Sequence, residues 1–88
     1  MKKIADMVEL SDMLARIDAM GNATYNEKAL LCCLDGLLSE TTEKLQNIDI
    51  WASYRSNIER YVSAIFTEQG VGFDQVVARR DFTIHVIY

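Results

Sequence analysis

Residues Phe73–Tyr88 read FDQVVARRDFTIHVIY, and the way they pair decides the fold. From Phe82 to Tyr88 the residue types favour extended backbone, and Phe82, Ile84, Val86 and Tyr88 fall on one face by the two-residue alternation of a strand. A lone strand cannot satisfy its own N–H and C=O groups. Two solutions follow. Phe73–Ala78 supplies the neighbour through a turn at Arg79-Arg80-Asp81, giving a hairpin. Alternatively Phe73–Val77 forms a short helix, and the last strand pairs with another molecule.

Upstream the periodicity is helical. Met7, Leu10, Leu14 and Ile17 recur at 3–4–3 spacing and predict a helix over residues 4–20, with Ser11 as an alternative, later N-cap. Gly21-Asn22-Ala23-Thr24 then turns the chain. A second helix is expected from about Thr24–Asn26 to Asn47, striped by Leu30, Leu34, Leu37, Leu38, Thr41, Leu45 and Ile48. Thr24 and Glu27 stand in capping-box spacing. Thr41-Thr42, β-branched and polar, is its weak place. A third helix is expected between Asp49, as N-cap, and Gly70, with Trp51, Tyr54, Ile58, Tyr61, Val62 and Ile65 inward. Arg55 and Glu59 are spaced for an ion pair. No proline interrupts these segments. The expected class is mainly α with a C-terminal β element (α+β): a three-helix bundle-like core followed by a hairpin or a partner-pairing strand, in one domain over residues 1–88.

Composition narrows the functional classes. The 88 residues are 50% hydrophobic, a generous supply for so short a chain, and carry a net charge of −4. Either the core is unusually well supplied, or some apolar surface is covered by a second subunit or a partner. The acidity is dispersed, and no concentrated positive field marks a nucleic-acid surface. The longest apolar run, Ala29–Leu34, is far short of the roughly 20 residues of a membrane-spanning helix. Asp6, Glu9 and Asp12 interrupt any apolar targeting core after Met1-Lys2-Lys3. A cytoplasmic protein with no membrane association is the expectation.

The chemistry-bearing residues are few. Cys32 and Cys33 lie side by side within LLCCLDGLL (Leu30–Leu38). Helical geometry sends adjacent side chains about 100° apart, against a mutual disulfide. With Ala29 and Gly36 they form a strip of small residues that admits a second helix, so packed structural thiols are expected. One histidine, His85, completes no zinc set and has no evident nucleophile. No cofactor or metal is expected. Gly70-Val71-Gly72 lacks the features of a nucleotide loop and reads as a helix stop. Arg79-Arg80 reads as a solvated turn or an anion contact.

The expected function is a non-catalytic protein–protein interaction or regulatory module, an adaptor or inhibitor, acting as a homo-oligomer, with a basic protein as a further partner class. Candidate interface residues are Met7, Leu10, Leu14 and Ile17 on the first helix, and Ala29, Cys32 and Gly36 on the second. Trp51 is the expected aromatic anchor, with Phe82, Ile84, Val86 and Tyr88 on the last strand. The alternatives are a DNA-associated regulator, which a solvent-facing cluster of Arg55, Arg60, Arg79 and Arg80 would favour, and a thiol sensor or small enzyme built on an accessible cysteine beside His85.

Overall fold

The computed structural model describes residues 1–88 and is an α+β fold, 60% helical. Its elements run β1 (Lys2–Asp6), α1 (Met7–Ala19), α2 (Tyr25–Ser39), α3 (Thr42–Leu45), α4 (Ile48–Glu68), β2 (Gln75–Ala78) and β3 (Thr83–Ile87). The C-terminal ambiguity resolves as a hairpin. β2 and β3 are antiparallel with Val76 opposite Val86, and β1 adds to the other side of β3 with Lys3 opposite His85. The strand order β1-β3-β2 puts β3 in the centre. Its backbone is paired on both sides, so it offers no free edge to another molecule.

Residues 2–6 are a correction. The helical period of residues 4–20 starts only at Met7, because pairing with β3 satisfies the backbone of the first residues more fully than an extra helical turn would. Asp6 N-caps α1 without a side-chain hydrogen bond. The capping box at α2 forms as expected, with Glu27 N donating to Thr24 Oγ1 at 3.2 Å and Thr24 N donating to Glu27 Oε1 at 3.1 Å.

The long second helix breaks at its weak place. α2 stops at Ser39, and Thr41 restarts the chain by accepting from Lys44 N at 3.2 Å. α4 begins at Ile48 rather than after Asp49, because Asn47 is the cap. Its Oδ1 accepts from Asp49 N at 2.9 Å and Ile50 N at 3.3 Å. Gly70, at φ +73°, follows the end of α4 in the left-handed conformation that an L side chain resists. The Arg55–Glu59 pair forms at 3.3 Å.

One cluster of 13 buried residues joins every layer. Leu30, Leu34 and Leu37 from α2 meet Trp51, Ile58, Val62 and Ile65 from α4, Met7 and Leu14 from α1, and the inner sheet residues Val76, Ala78, Ile84 and Val86. Five candidate interface residues are corrected by this arrangement. Met7, Leu14, Trp51, Ile84 and Val86 lie in the chain's own core, because the sheet and three helices need those side chains to close against one another.

Candidate functional site

Three features of local chemistry converge where the hairpin turn meets the start of α4. The first is the turn itself. Arg79 N donates to Thr83 O at 2.9 Å and Phe82 N donates to Arg79 O at 3.0 Å, closing a three-residue loop of Arg80, Asp81 and Phe82. Such loops place their last residue in the left-handed region, normally glycine. Here that residue is Phe82, at φ +62°, the single non-glycine residue of the chain with positive φ. Its carbonyl accepts from Met7 N at 2.8 Å, so the turn also holds the first N–H of α1.

The second feature is the α3 break. Thr41 and Asn47 bend the chain twice within a few residues, which carries Trp51 under the hairpin in the first turn of α4. The Trp51 and Phe82 rings pack tilted, with centroids 6.5 Å apart. A groove of about 510 Å³ opens beside them, walled by Leu37, Leu38 and Leu45 with Glu40, Thr42, Gln46 and Arg80 at its polar margin. Leu38 is 39% exposed there, whereas Trp51 is only 5% exposed.

The third is charge. Arg80 also lines a shallower hollow of about 360 Å³ on the other side of Trp51, together with Arg55, Val77, Ala78 and Arg79. Two carboxylates near this region are engaged. Glu59 Oε2 accepts from Arg55 Nε at 3.3 Å and from Ala78 N at 2.9 Å, which also covers an outward N–H of the edge strand β2. Glu40 accepts from Tyr54 Oη at 3.0 Å and lies 3.9 Å from Lys44 Nζ. That hydrogen bond raises the pKa of the Tyr54 phenol.

Asp81 Oδ1 accepts from the Thr83 hydroxyl at 2.5 Å and from Thr83 N at 3.2 Å. These bonds hold the Asp81 carboxyl below its ordinary value, chiefly through the hydroxyl. The Thr83 hydroxyl lies 2.9 Å from His85 Nε2. Because its proton goes to Asp81, it accepts from the imidazole, and the Asp81–Thr83–His85 chain acts as a lock on the turn. Arg79 touches the Met1 sulfur at 3.5 Å, and no carboxylate lies within 4.0 Å of Arg80.

The remaining sequence candidates lie elsewhere. Leu10 and Ile17 stay partly exposed, and with Met13, Phe66 and neighbours they line an apolar cleft of about 150 Å³ between α1 and α4. Ala29 and Gly36 are half-buried; the small-residue strip does admit a helix, since Tyr54 of α4 lies over Gly36. Cys32 is exposed, which corrects its reading as a packed thiol: of the strip, it is Gly36 that lies against Tyr54 of α4. Cys33 is half-buried, and burial pushes its thiol up. Neither cysteine borders a hollow shared with His85. Tyr88 is 65% exposed, with Lys2 Nζ 5.8 Å from its ring centroid. Of the four clustered arginines the sequence offered, three meet. Arg60 instead packs on Tyr61, 4.9 Å from the ring centroid, and bonds Asn57. Sequence reasoning missed Leu38, Leu45 and Gln46 as groove walls, because in the long helix expected there Leu38 and Leu45 read as part of its continuous inward stripe.

No group of three or more His, Cys, Asp or Glu side chains is placed to hold a metal ion. No helix is long and apolar enough to cross a membrane. Comparison of the chain with protein-family models, curated proteins and solved structures finds no match.

Proposed function

We propose that the protein is a non-catalytic interaction module, an adaptor or inhibitor, that receives a short segment of a partner protein in the groove beside Trp51. One observation carries this reading. The hairpin holds Phe82 in a backbone conformation unfavourable to it, and the result is an aromatic wall on a half-open groove of mixed apolar and polar lining with an unpaired guanidinium at its rim. Strain that a glycine would relieve is a feature of functional positions. Grooves that combine a packed aromatic floor, leucine walls and arginine are the form that interface hot spots take. Two unbridged thiols fit the reducing cytoplasm, the compartment this reading adopts.

The test uses Leu38→Glu, which alters a half-exposed wall without touching the buried cluster. Proteins captured from the native cell by the wild-type chain are expected to be lost with this variant, while its circular dichroism and melting temperature stay unchanged. Capture of the same proteins by the variant refutes the reading.

A second reading has its own observation. Met13 is half-exposed beside the α1–α4 cleft, whose lining is almost wholly apolar and whose Glu27 is engaged in the α2 cap. A second copy of the chain seated there makes the expected homodimer. Sedimentation of the wild type and of Met13→Glu at micromolar concentrations decides it: a wild-type monomer ends this reading.

A further inference from the structure

We infer that the groove is selective for an acidic segment, one that places an apolar side chain against Leu38, Leu45 and Phe82 and a carboxylate on Arg80. This rests on the groove reading above and gives the partner its chemistry. It also reverses the sign that overall composition favours, since a net charge of −4 by itself attracts a basic partner.

The argument starts from which charges are free. The acidic groups closest to Arg80 have partners within the chain, whereas Glu43 on α3 and Asp49 in the first turn of α4 have none and line neither hollow. Glu59 holds Arg55 and the Ala78 N–H, Glu40 holds Tyr54 and Lys44, and Asp81 holds the Thr83 hydroxyl and amide. Arg80 has none, and Arg79 has only the Met1 sulfur. Arg80 lines both hollows, so its guanidinium stands where the apolar groove passes into the arginine-lined one. Its backbone is fixed by the two hydrogen bonds that close the loop. A guanidinium meets a carboxylate in two-pronged geometry, and its planar fork loses less freedom per hydrogen bond than a lysine ammonium does. With Arg79 one position away, a second carboxylate further along the segment is also accommodated.

The same geometry disfavours nucleic acid as the anion. Trp51 is 5% exposed and offers no open face for a base to stack on. A polyanion also extends beyond three arginines onto a surface whose dispersed acidity repels it, whereas one or two carboxylates are held within a Debye length of Arg80.

Three acetylated, amidated octapeptides test this against the full chain: two central leucines flanked by glutamates, by glutamines, or by lysines. A 15-nucleotide thymidine strand is the fourth probe. Amide resonances of Leu38, Gln46 and Trp51 report binding. The glutamate peptide is expected to bind about tenfold more tightly than the glutamine peptide, and the lysine peptide more weakly than either. Arg80→Gln should remove that tenfold preference and leave the glutamine peptide unaffected. Raising the salt from 0.05 to 0.5 M should weaken the glutamate peptide alone.

Equal affinity for the glutamate and glutamine peptides overturns the inference, as does an Arg80→Gln variant that keeps the preference. Tighter binding of the oligonucleotide than of the glutamate peptide overturns it in favour of nucleic acid. A glutamine peptide that binds in the groove as well as the glutamate one leaves the interaction module standing. Failure of the module itself is read separately, from capture that Leu38→Glu does not change.

Discussion

Replacing Phe82 with alanine and with glycine separates the ring from the backbone that carries it. Both variants lose the half-buried ring and its contact with Trp51. Burial of that much apolar surface contributes about 1 kcal/mol, and the aromatic pair about 1 more, so each variant is expected to fall about 2 kcal/mol below wild type. They differ at the backbone. Alanine retains the left-handed φ of +62°, which costs an L residue about 1–2 kcal/mol, and glycine does not. Glycine's greater freedom in the unfolded chain takes back about 0.4–1 kcal/mol. Taking the middle of each range, Phe82→Gly is expected to be more stable than Phe82→Ala by about 0.5–1 kcal/mol, the reverse of the usual order in regular structure. Urea denaturation followed by circular dichroism at 222 nm reads this without depending on Trp51 emission, which loses its neighbour in both variants. With an m-value of about 1 kcal/mol/M for a chain of this size, the glycine midpoint should lie about 0.5–1 M higher. An alanine midpoint at or above the glycine one refutes the claim that the turn holds Phe82 under strain.

Other consequences follow from the same contacts. The Thr83 hydroxyl holds the Asp81 carboxyl below its ordinary value, so the folded carboxyl releases its proton more readily than the unfolded one. Its contribution is complete above about pH 4 and disappears as pH falls through the folded pKa. Melting temperatures from pH 2.5 to 6 should therefore show less acid sensitivity in Asp81→Asn than in wild type; parallel profiles contradict the turn lock. Leu34→Ala should cost about 3 kcal/mol, because Leu34 is fully buried, while Leu38→Ala stays within about 0.5 kcal/mol. Urea midpoints check both, and similar losses at the two positions mean the helix is rotated from the face described. A limiting thiol reagent followed by peptide mass analysis should label Cys32 before Cys33, the first being exposed and the second half-buried with a raised pKa. Equal labelling contradicts that difference.

The helices were legible because their signals are local. A four-residue recurrence, a threonine three positions before a glutamate, and a glycine after a helix are each contained in a short window, and α2 begins where they place it. β1 was not, because what makes Lys2–Asp6 a strand is its pairing to residues 83–86 at the far end of the chain. No window near the N-terminus contains that partner, and within the window the helical period of α1 extends smoothly backward. The missing strand also explains the misjudged interface. With β3 read as having at most one neighbour, Ile84, Val86 and the helix residues facing them lacked a complete core to enter. The third strand fixes β3 at the centre, and Met7, Leu14 and Trp51 are needed inside.

The groove depends on a single local choice the sequence leaves open. The apolar stripe from Leu30 to Ile48 is continuous enough to carry one helix through to Asn47. Had it done so, Leu45 would have stayed in register with Leu34 and Leu38, and α4 would have started from the far end of an unbroken rod. The structure instead uses Thr41 as a second cap, and the hydroxyl bond to Lys44 N turns the stripe out of line. Leu45 then faces Leu38 across an opening instead of continuing its row, and Asn47 sends α4 back beneath the hairpin. Trp51 reaches Phe82 only by that route. A break worth about one capping bond thus decides both the position of the core tryptophan and the existence of the groove. The residues that line the site are consequently ordinary in composition, and what distinguishes them is the bend that brings them to one place.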